Sequence, residues 1–234
     1  MFNPLIKQTT ARKLKPLVFV ACLLPALPAL HSLLALVVSN LTGSATNAIV
    51  TSVRFWHFAS KPDPIAKLLH EQGELALQFL VATIAITPIR HITGQNWLIL
   101  FRRMLGLFGF TYALLHFLIW IAMDQSFDWP SIVADILKRP FIMIGLLGLI
   151  LMIPLAATST NFMMRLMGKR WLQLHRLVYL IVPLGVWHFY WLVKKDISEP
   201  LMYGAITAFL LGYRYWRSKH DGQNTLSNSA TESH

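Results

Sequence analysis

Three histidines lie inside or beside long apolar segments, where an imidazole is costly unless something binds it. They are His116, His175 and His188. A polar side chain within a bilayer is a functional candidate, because hydrocarbon offers it no hydrogen bond. A neutral imidazole presents one nitrogen lone pair to a metal, and haem iron is a common acceptor. We therefore interpret these three histidines as candidate metal ligands, with haem iron as the metal.

Six apolar segments form the elements that would position these histidines. The 234-residue chain is only 13% charged, whereas soluble domains carry about 25% charged residues. A helix needs about 20 apolar residues to cross a membrane. The sequence predicts an all-α, polytopic membrane helix bundle with six transmembrane helices. The predicted spans are Leu17–Val38, Leu75–Ile89, Met104–Met123, Phe141–Ala157, Leu177–Val193 and Leu201–Tyr213.

The distribution of charge predicts the orientation of the bundle. Six spans place both termini on one side, which carries 14 of the 21 lysines and arginines. Cytoplasmic loops are enriched in these residues, so both termini are predicted to be cytoplasmic. Eight of the ten acidic residues fall on the opposite side, which agrees. The net charge of +11 therefore reflects orientation in membrane lipid, and we predict no nucleic-acid partner.

The predicted organisation has three parts. Residues 1–16 form a cytoplasmic segment, residues 17–216 form the transmembrane domain, and residues 217–234 form a disordered cytoplasmic tail. A long outer loop spans residues 39–73 within the domain. Asp63 suits a helix N-cap and Pro64 the first helical position, so a helix is predicted to start there and run toward the second span. We find no internal repeat in the sequence.

The depth of the histidines favours haem ligation. His116 and His188 each lie about twelve residues from the inner ends of their helices, so at about 1.5 Å per residue they reach the same level. They can therefore face each other across one haem. His175 precedes His188 by 13 residues, about 20 Å along a helix, which predicts a second haem near the inner surface. On an ideal helix these two histidines would point to different faces. A kink at Pro183, between them, could change the angle around the helix axis that separates them.

Four further residues are candidates for cofactor binding. Arg103 and Arg176 are predicted either to pair with haem propionates or to anchor the bundle at the inner surface. His70, at the outer edge, is a candidate to face a quinone or to act as a spare ligand. His91, in an inner loop, is a candidate second ligand for the inner haem. Residues 75–123 and 141–193 contain no Asp or Glu, which argues against a proton-coupled transporter or pump.

The histidines and the segments around them resemble the ferric-reductase-like transmembrane family. That family implies two histidines on each of two helices, 13 or 14 residues apart, which bind two b haems. His175 and His188 match one pair, and His116 matches the outer member of the other. The position 13 residues before His116 is Arg103, and a guanidinium has no lone pair for iron. The matching segments begin at Ala82-Thr83, Arg102-Arg103, Thr158-Ser159, Gly168-Lys169-Arg170-Trp171 and Trp187-His188.

The closer resemblance is to one branch, the haem-binding membrane subunits of bacterial periplasmic methionine-sulfoxide reductase systems. It covers about residues 63–217. It implies a non-catalytic electron-transfer subunit in the bacterial inner membrane, with one or two b haems. Electrons would come from quinol or a flavin and pass to a periplasmic molybdopterin methionine-sulfoxide reductase subunit. An FMN cofactor is implied by this resemblance alone. The alternative is an electron carrier fed by a separate cytoplasmic flavin reductase.

Overall fold

The computed structural model of the protein describes residues 4–42, 63–193 and 196–231. Every regular element in these ranges is helical, which confirms the predicted all-α class. In chain order the helices are α1 (Pro4–Leu23), α2 (Leu27–Thr42), α3 (Pro64–Thr93), α4 (Ile99–Ile119), α5 (Trp129–Lys138), α6 (Pro140–Ala157), α7 (Asn161–Met167), α8 (Lys169–Leu174), α9 (Val178–Leu192) and α10 (Ser198–Thr231).

Four stretches of the described chain are long and apolar enough to cross a membrane. They are Thr9–Ala35, Ile65–Thr93, Asn96–Asp124 and Pro140–Ala157. Each overlaps one of the first four predicted spans. The fifth predicted span corresponds to α9, which has only 15 residues because its first turn, His175–Leu177, is a separate 3-10 helix. Six spans and cytoplasmic termini therefore stay predictions.

The second span is much longer than its apolar core suggests. Helix α3 has 30 residues, and the Asp63 carboxylate accepts the Ala66 N–H at 3.0 Å. The predicted N-cap at Asp63 and helix start at Pro64 are thereby confirmed. The span predicted from the sequence is shorter than this helix because polar residues such as Gln72 interrupt the apolar pattern. In the structure Gln72 is nevertheless buried. The predicted outer loop is therefore helical from Pro64 onward, and residues 43–62 lie outside the described residues.

The first span is broken by a proline and packs against α4. Helix α1 ends at Leu23, and a 3-10 turn containing Pro25 leads into α2. Proline lacks the backbone N–H that a continuous helix would need, which explains the break. The Tyr112 hydroxyl donates to the Cys22 carbonyl at 2.6 Å, and Tyr112 is fully buried. This bond ties α1 to α4 at the level of the break.

Two packed groups of apolar side chains hold the bundle together. One joins α1, α3 and α4 around Tyr112 and Phe108. The other joins α3, α6, α9 and α10 around Val182 and Ile181. Helix α3 contributes to both groups and is therefore the central helix. We call the end of the bundle that carries Arg102 and His175 the inner end, and the end that carries His116 and His188 the outer end.

The last helix extends past its predicted limit. The sixth predicted span ends at Tyr213, and a disordered tail is predicted from residue 217. Helix α10 extends to Thr231, and the disorder of residues 217–234 stays a prediction. No proline occurs after Pro200 to stop the helix, which accounts for the continuation of helical backbone into a polar segment.

Removing the Tyr112 hydroxyl should loosen the attachment of α1. Tyr112→Phe leaves the Cys22 carbonyl without its donor, which should lower the free energy of unfolding by about 0.5–1.5 kcal/mol. Thermal unfolding of the purified protein in detergent measures this change. Tyr215→Phe, at a tyrosine that is 74% exposed, is the control and should leave the unfolding temperature unchanged. Equal stability of the two variants would contradict the assigned role.

Candidate metal centre

His116 lies against the backbone of α3 at the outer end. Its Nδ1 atom is 2.8 Å from the Leu69 carbonyl oxygen. A carbonyl only accepts, so Nδ1 carries the proton and Nε2 keeps its lone pair. The ring fits there because residue 73 is glycine: a Cβ at Gly73 would lie 2.9 Å from His116 Nδ1. Helix α3 thus orients His116 and leaves Nε2 free to bind a metal.

His188 repeats this arrangement on a second pair of helices. Its Nδ1 donates to the Phe141 carbonyl oxygen of α6 at 2.7 Å. A Cβ at Gly145 would lie 2.8 Å from His188 Nδ1. The ring therefore also lies directly against helix backbone, with Nε2 left as the metal-binding nitrogen.

The two arrangements form a structural repeat with a constant spacing. Leu69, Gly73 and His116 become Phe141, Gly145 and His188 when 72 is added to each residue number. No internal repeat is visible in the sequence, and the prediction of none missed this 72-residue spacing. Each copy consists of a backbone carbonyl, a glycine and one histidine. Of these three, only the histidine is recognisable in the sequence as a candidate site residue.

The two imidazoles lie close together, at a separation that would suit one metal ion between them. Their ring centroids are 6.1 Å apart and their planes are inclined at 84°. An imidazole nitrogen binds a transition metal at roughly 2.0–2.1 Å, and the ring centre lies about 1.1 Å behind that nitrogen. Two rings on opposite sides of one metal ion are therefore expected to be roughly 6.2 Å apart. The separation of His116 and His188 is thus close to the one expected for two imidazoles that bind a single metal ion.

A largely apolar cavity surrounds this pair. Its volume is about 410 Å³, within the usual range for ligand pockets. Both histidines line it, together with Leu77, Leu149 and Phe189. Across the described residues, His, Cys, Asp and Glu side chains form no group of three or more able to hold a metal ion. The pair therefore suits a metal whose remaining ligands come from a macrocycle rather than from the chain.

His175 lies apart from this pair, in the 3-10 turn that precedes α9. Its Nδ1 donates to the Trp171 carbonyl at 3.1 Å, and its ring stacks on Trp171 at 3.9 Å. Its Nε2 is 3.5 Å from the Ser159 hydroxyl. Burial lowers the pKa of His175, and the nearby Arg102 charge lowers it further. The imidazole is thus oriented, but no second imidazole faces it within the described part of the chain.

The other predicted site residues fall into different surroundings. His70 lines the cavity beside Phe189, with ring centroids 5.6 Å apart. Arg103 donates to the Asn161 side chain at 2.6 Å, so it is directed toward α7. Arg176 is exposed in the turn that contains His175. His91 is exposed and its Nε2 is 3.1 Å from Arg90. The structure therefore brings His70 into the outer cavity and leaves His91 at the surface of the inner end.

Sequence reasoning missed several residues that shape these sites. The Leu69 and Phe141 carbonyls carry no signal in a sequence, because every residue has one. Arg139 lines the outer mouth of the cavity and pairs with Asp135 at 3.4 Å. Arg102 donates to the Tyr179 hydroxyl at 2.8 Å near His175. The sequence shows that these arginines lie near helix ends, but it does not show which of them contact the sites.

Comparison with known proteins agrees with this geometry. Residues 72–186 match the family described as the ferric reductase like transmembrane component. That range contains His116 and His175 and ends two residues before His188. Together with the apolar helices, this match makes the chain a multi-pass membrane protein. No solved structure matches the chain.

Three curated relatives share the printed name protein-methionine-sulfoxide reductase heme-binding subunit MsrQ. The relative from Caulobacter vibrioides is 49% identical over 169 residues, which cover 72% of this chain and 79% of the relative. The relative from Ralstonia nicotianae is 50% identical, covering 66% and 72%. The relative from Xanthomonas euvesicatoria is 46% identical, covering 71% and 77%. The chain belongs to the MsrQ branch of the ferric-reductase-like transmembrane family.

Adding a methyl group at either glycine should disturb the facing histidines. Gly73→Ala or Gly145→Ala should push the adjacent ring away at an overpacking cost of about 1–3 kcal/mol, lowering affinity for added haem about tenfold or more. Haem titration of the purified apoprotein measures this. Gly106→Ala is the control, because its Cβ would have no neighbour closer than 3.6 Å. Wild-type affinity in both test variants would show that the histidines do not need this close approach.

Proposed function

We propose that this protein is a haem-binding electron-transfer subunit of a membrane-bound methionine-sulfoxide reductase system. The observation that carries the proposal is the facing pair of His116 and His188, 6.1 Å apart, with each Nδ1 held by a helix carbonyl. Membership in a family whose relatives are named as haem-binding subunits supports it. Haem bound between these residues would supply one-electron redox chemistry.

The arrangement favours electron transfer over catalysis at the iron. Haem held by both His116 and His188 would have no position left for oxygen or a substrate. The carbonyl bonds fix each ring, so little reorganisation is needed when the charge at the centre changes. Leu77, Leu149 and other apolar residues line much of the cavity and would limit the access of water to a bound group. We therefore propose a non-catalytic role, with the chemistry carried out by a partner subunit.

The finer assignments rest on the family resemblance. We propose that the chain lies in the bacterial inner membrane with both termini cytoplasmic and the outer end facing the periplasm. The haem would then be haem b, and the acceptor a periplasmic molybdopterin methionine-sulfoxide reductase subunit. Quinol is the proposed donor, with FMN as a further cofactor. His70, in the wall of the outer cavity, is placed to contact a molecule that enters from the outer surface.

A second haem at the inner end is a separate proposal. His175 offers an imidazole there whose Nδ1 is held by the Trp171 carbonyl. Its partner in the family pattern falls at Arg103, whose guanidinium is bonded to Asn161. The chain would therefore supply a single axial ligand at the inner site, and we expect weaker haem binding there than at the outer site.

The outer ligand pair can be tested by mutation. His116→Ala and His188→Ala should each abolish the same low-spin haem, because either change removes one of two axial ligands. The dithionite-reduced optical spectrum and the haem content per chain measure this loss. His220→Ala, at an exposed residue of α10, is the control. Full haem content in either single variant would show that the pair has been assigned wrongly.

Replacing the inner histidine separates one haem from two. His175→Ala should leave the outer haem spectrum intact and remove only a second, more loosely bound haem. Haem stoichiometry in the wild type and in this variant decides the number of haems. Loss of the outer haem in this variant would show that the two sites are not independent.

The electron donor can be identified by reduction kinetics. Quinol should reduce the bound haem directly if the quinone pool is the source. If a separate cytoplasmic flavin reductase is the source, NADPH plus that enzyme should reduce it faster than quinol does. The measurement is the rate of appearance of the reduced haem absorption in protein reconstituted into liposomes.

A further inference from the structure

Two arginines from different helices converge on one tyrosine at the inner end. Arg102 of α4 donates to the Tyr179 hydroxyl at 2.8 Å. Arg214 of α10 lies over the face of the same ring, with its guanidinium carbon 4.2 Å from the ring centroid. Tyr179 itself stands at the start of α9. Three helices thus bring two positive charges to a single neutral side chain.

These two arginines differ from the basic residues that anchor a membrane protein. Arg102 and Arg214 are half-buried, whereas Arg165, Arg170 and Arg176 are exposed. An exposed arginine is compensated by water and salt, so it needs no fixed partner. Partly buried guanidiniums close together lose part of that hydration and repel each other, and an anion between them would relieve both costs.

None of the carboxylates whose side chains the structure describes provides such an anion. They are Asp63, Glu71, Glu74, Asp124, Asp128, Asp135, Asp196 and Glu199, and all of them lie toward the outer end. The two ion pairs that these carboxylates form are Lys67–Glu71 and Arg139–Asp135. Neither involves the inner end, so none of these carboxylates supplies a counter-charge to Arg102 or Arg214.

We propose that Arg102, Arg214 and Tyr179 form a binding site for a phosphate group at the inner end of the bundle. A phosphate monoester carries about −1.5 to −2 charges at neutral pH, which matches the two guanidiniums. The planar guanidinium group also suits bidentate bonding to phosphate oxygens. The cation–π contact with Arg214 and the hydrogen bond to Arg102 position both groups before the ligand arrives.

The phosphate could belong to a soluble cofactor or to a lipid headgroup, and the test separates the two. Full-length protein is reconstituted in phosphatidylcholine nanodiscs and titrated with FMN and with riboflavin, which lacks the phosphate. A second arm measures retention of phosphatidylglycerol by native mass spectrometry. Haem content is recorded for each variant, so that misfolding, or failure of the proposed haem role, is detected separately.

The expected result is a selective loss in two variants. Arg102→Gln and Arg214→Gln should each weaken binding of the phosphate-bearing ligand by about tenfold or more, since each removes a charge-assisted bond. Arg102→Lys and Arg214→Lys should retain part of the affinity, because the charge remains while the bidentate geometry is lost. Arg165→Gln, at an exposed arginine of α7, is the matched control and should bind as the wild type does.

Each outcome decides the proposal. A preference for FMN over riboflavin that disappears in the two glutamine variants supports a soluble phosphate ligand. Equal binding of the two flavins, with phosphatidylglycerol retention lost in the same variants, supports a lipid headgroup. Wild-type behaviour of both variants in both arms overturns the site. Loss of haem without any loss of phosphate binding also overturns it, and would assign these arginines to haem propionates instead.

Discussion

The constraint behind this fold is that an imidazole inside a membrane must have both of its nitrogens satisfied. Hydrocarbon provides no partner, so an unsatisfied nitrogen would cost several kcal/mol. At His116 and His188 one nitrogen is satisfied by a helix carbonyl, at 2.8 and 2.7 Å. This requires a carbonyl accessible to a side chain from a neighbouring helix, which in turn requires a glycine one turn further along. Both rings line one cavity, where a bound metal ion would satisfy the second nitrogen of each.

The same constraint explains why the two ends of the bundle differ. At the outer end the 72-residue repeat is symmetric, with carbonyl, glycine and histidine present in both copies. At the inner end the same spacing relates Arg103 to His175, so the symmetry is broken. Arg103 bonds to Asn161, and His175 stacks on Trp171. An arginine near the membrane surface can extend to water, whereas at the depth of His116 it could not, which is consistent with the substitution occurring at the inner end.

Much of the fold can be predicted from the sequence because hydrophobicity and capping are local signals. The first four spans and the N-cap at Asp63 follow from the order of residues alone. The common depth of His116 and His188 follows from counting along their helices, and their ring centroids lie 6.1 Å apart. The carbonyls that orient them are 47 residues away in sequence, and every residue has such a group. The length of α3 was underestimated for a related reason, since a buried Gln72 looks like the end of an apolar helix until its surroundings are known.

The segregation of charge that orients the chain also explains the character of its inner end. Retaining cations on one side and carboxylates on the other favours one orientation in the membrane. It also prevents most cations at the inner end from pairing with carboxylates of the same chain. For an exposed residue such as Arg170 this has little cost, because water and lipid headgroups are adjacent. For Arg102 and Arg214, half-buried against Tyr179, the cost is larger, and a phosphate group bound between them would relieve it. The excess of cations that orients the chain thus also supplies the two arginines of the proposed phosphate site, where three helices meet at the inner end.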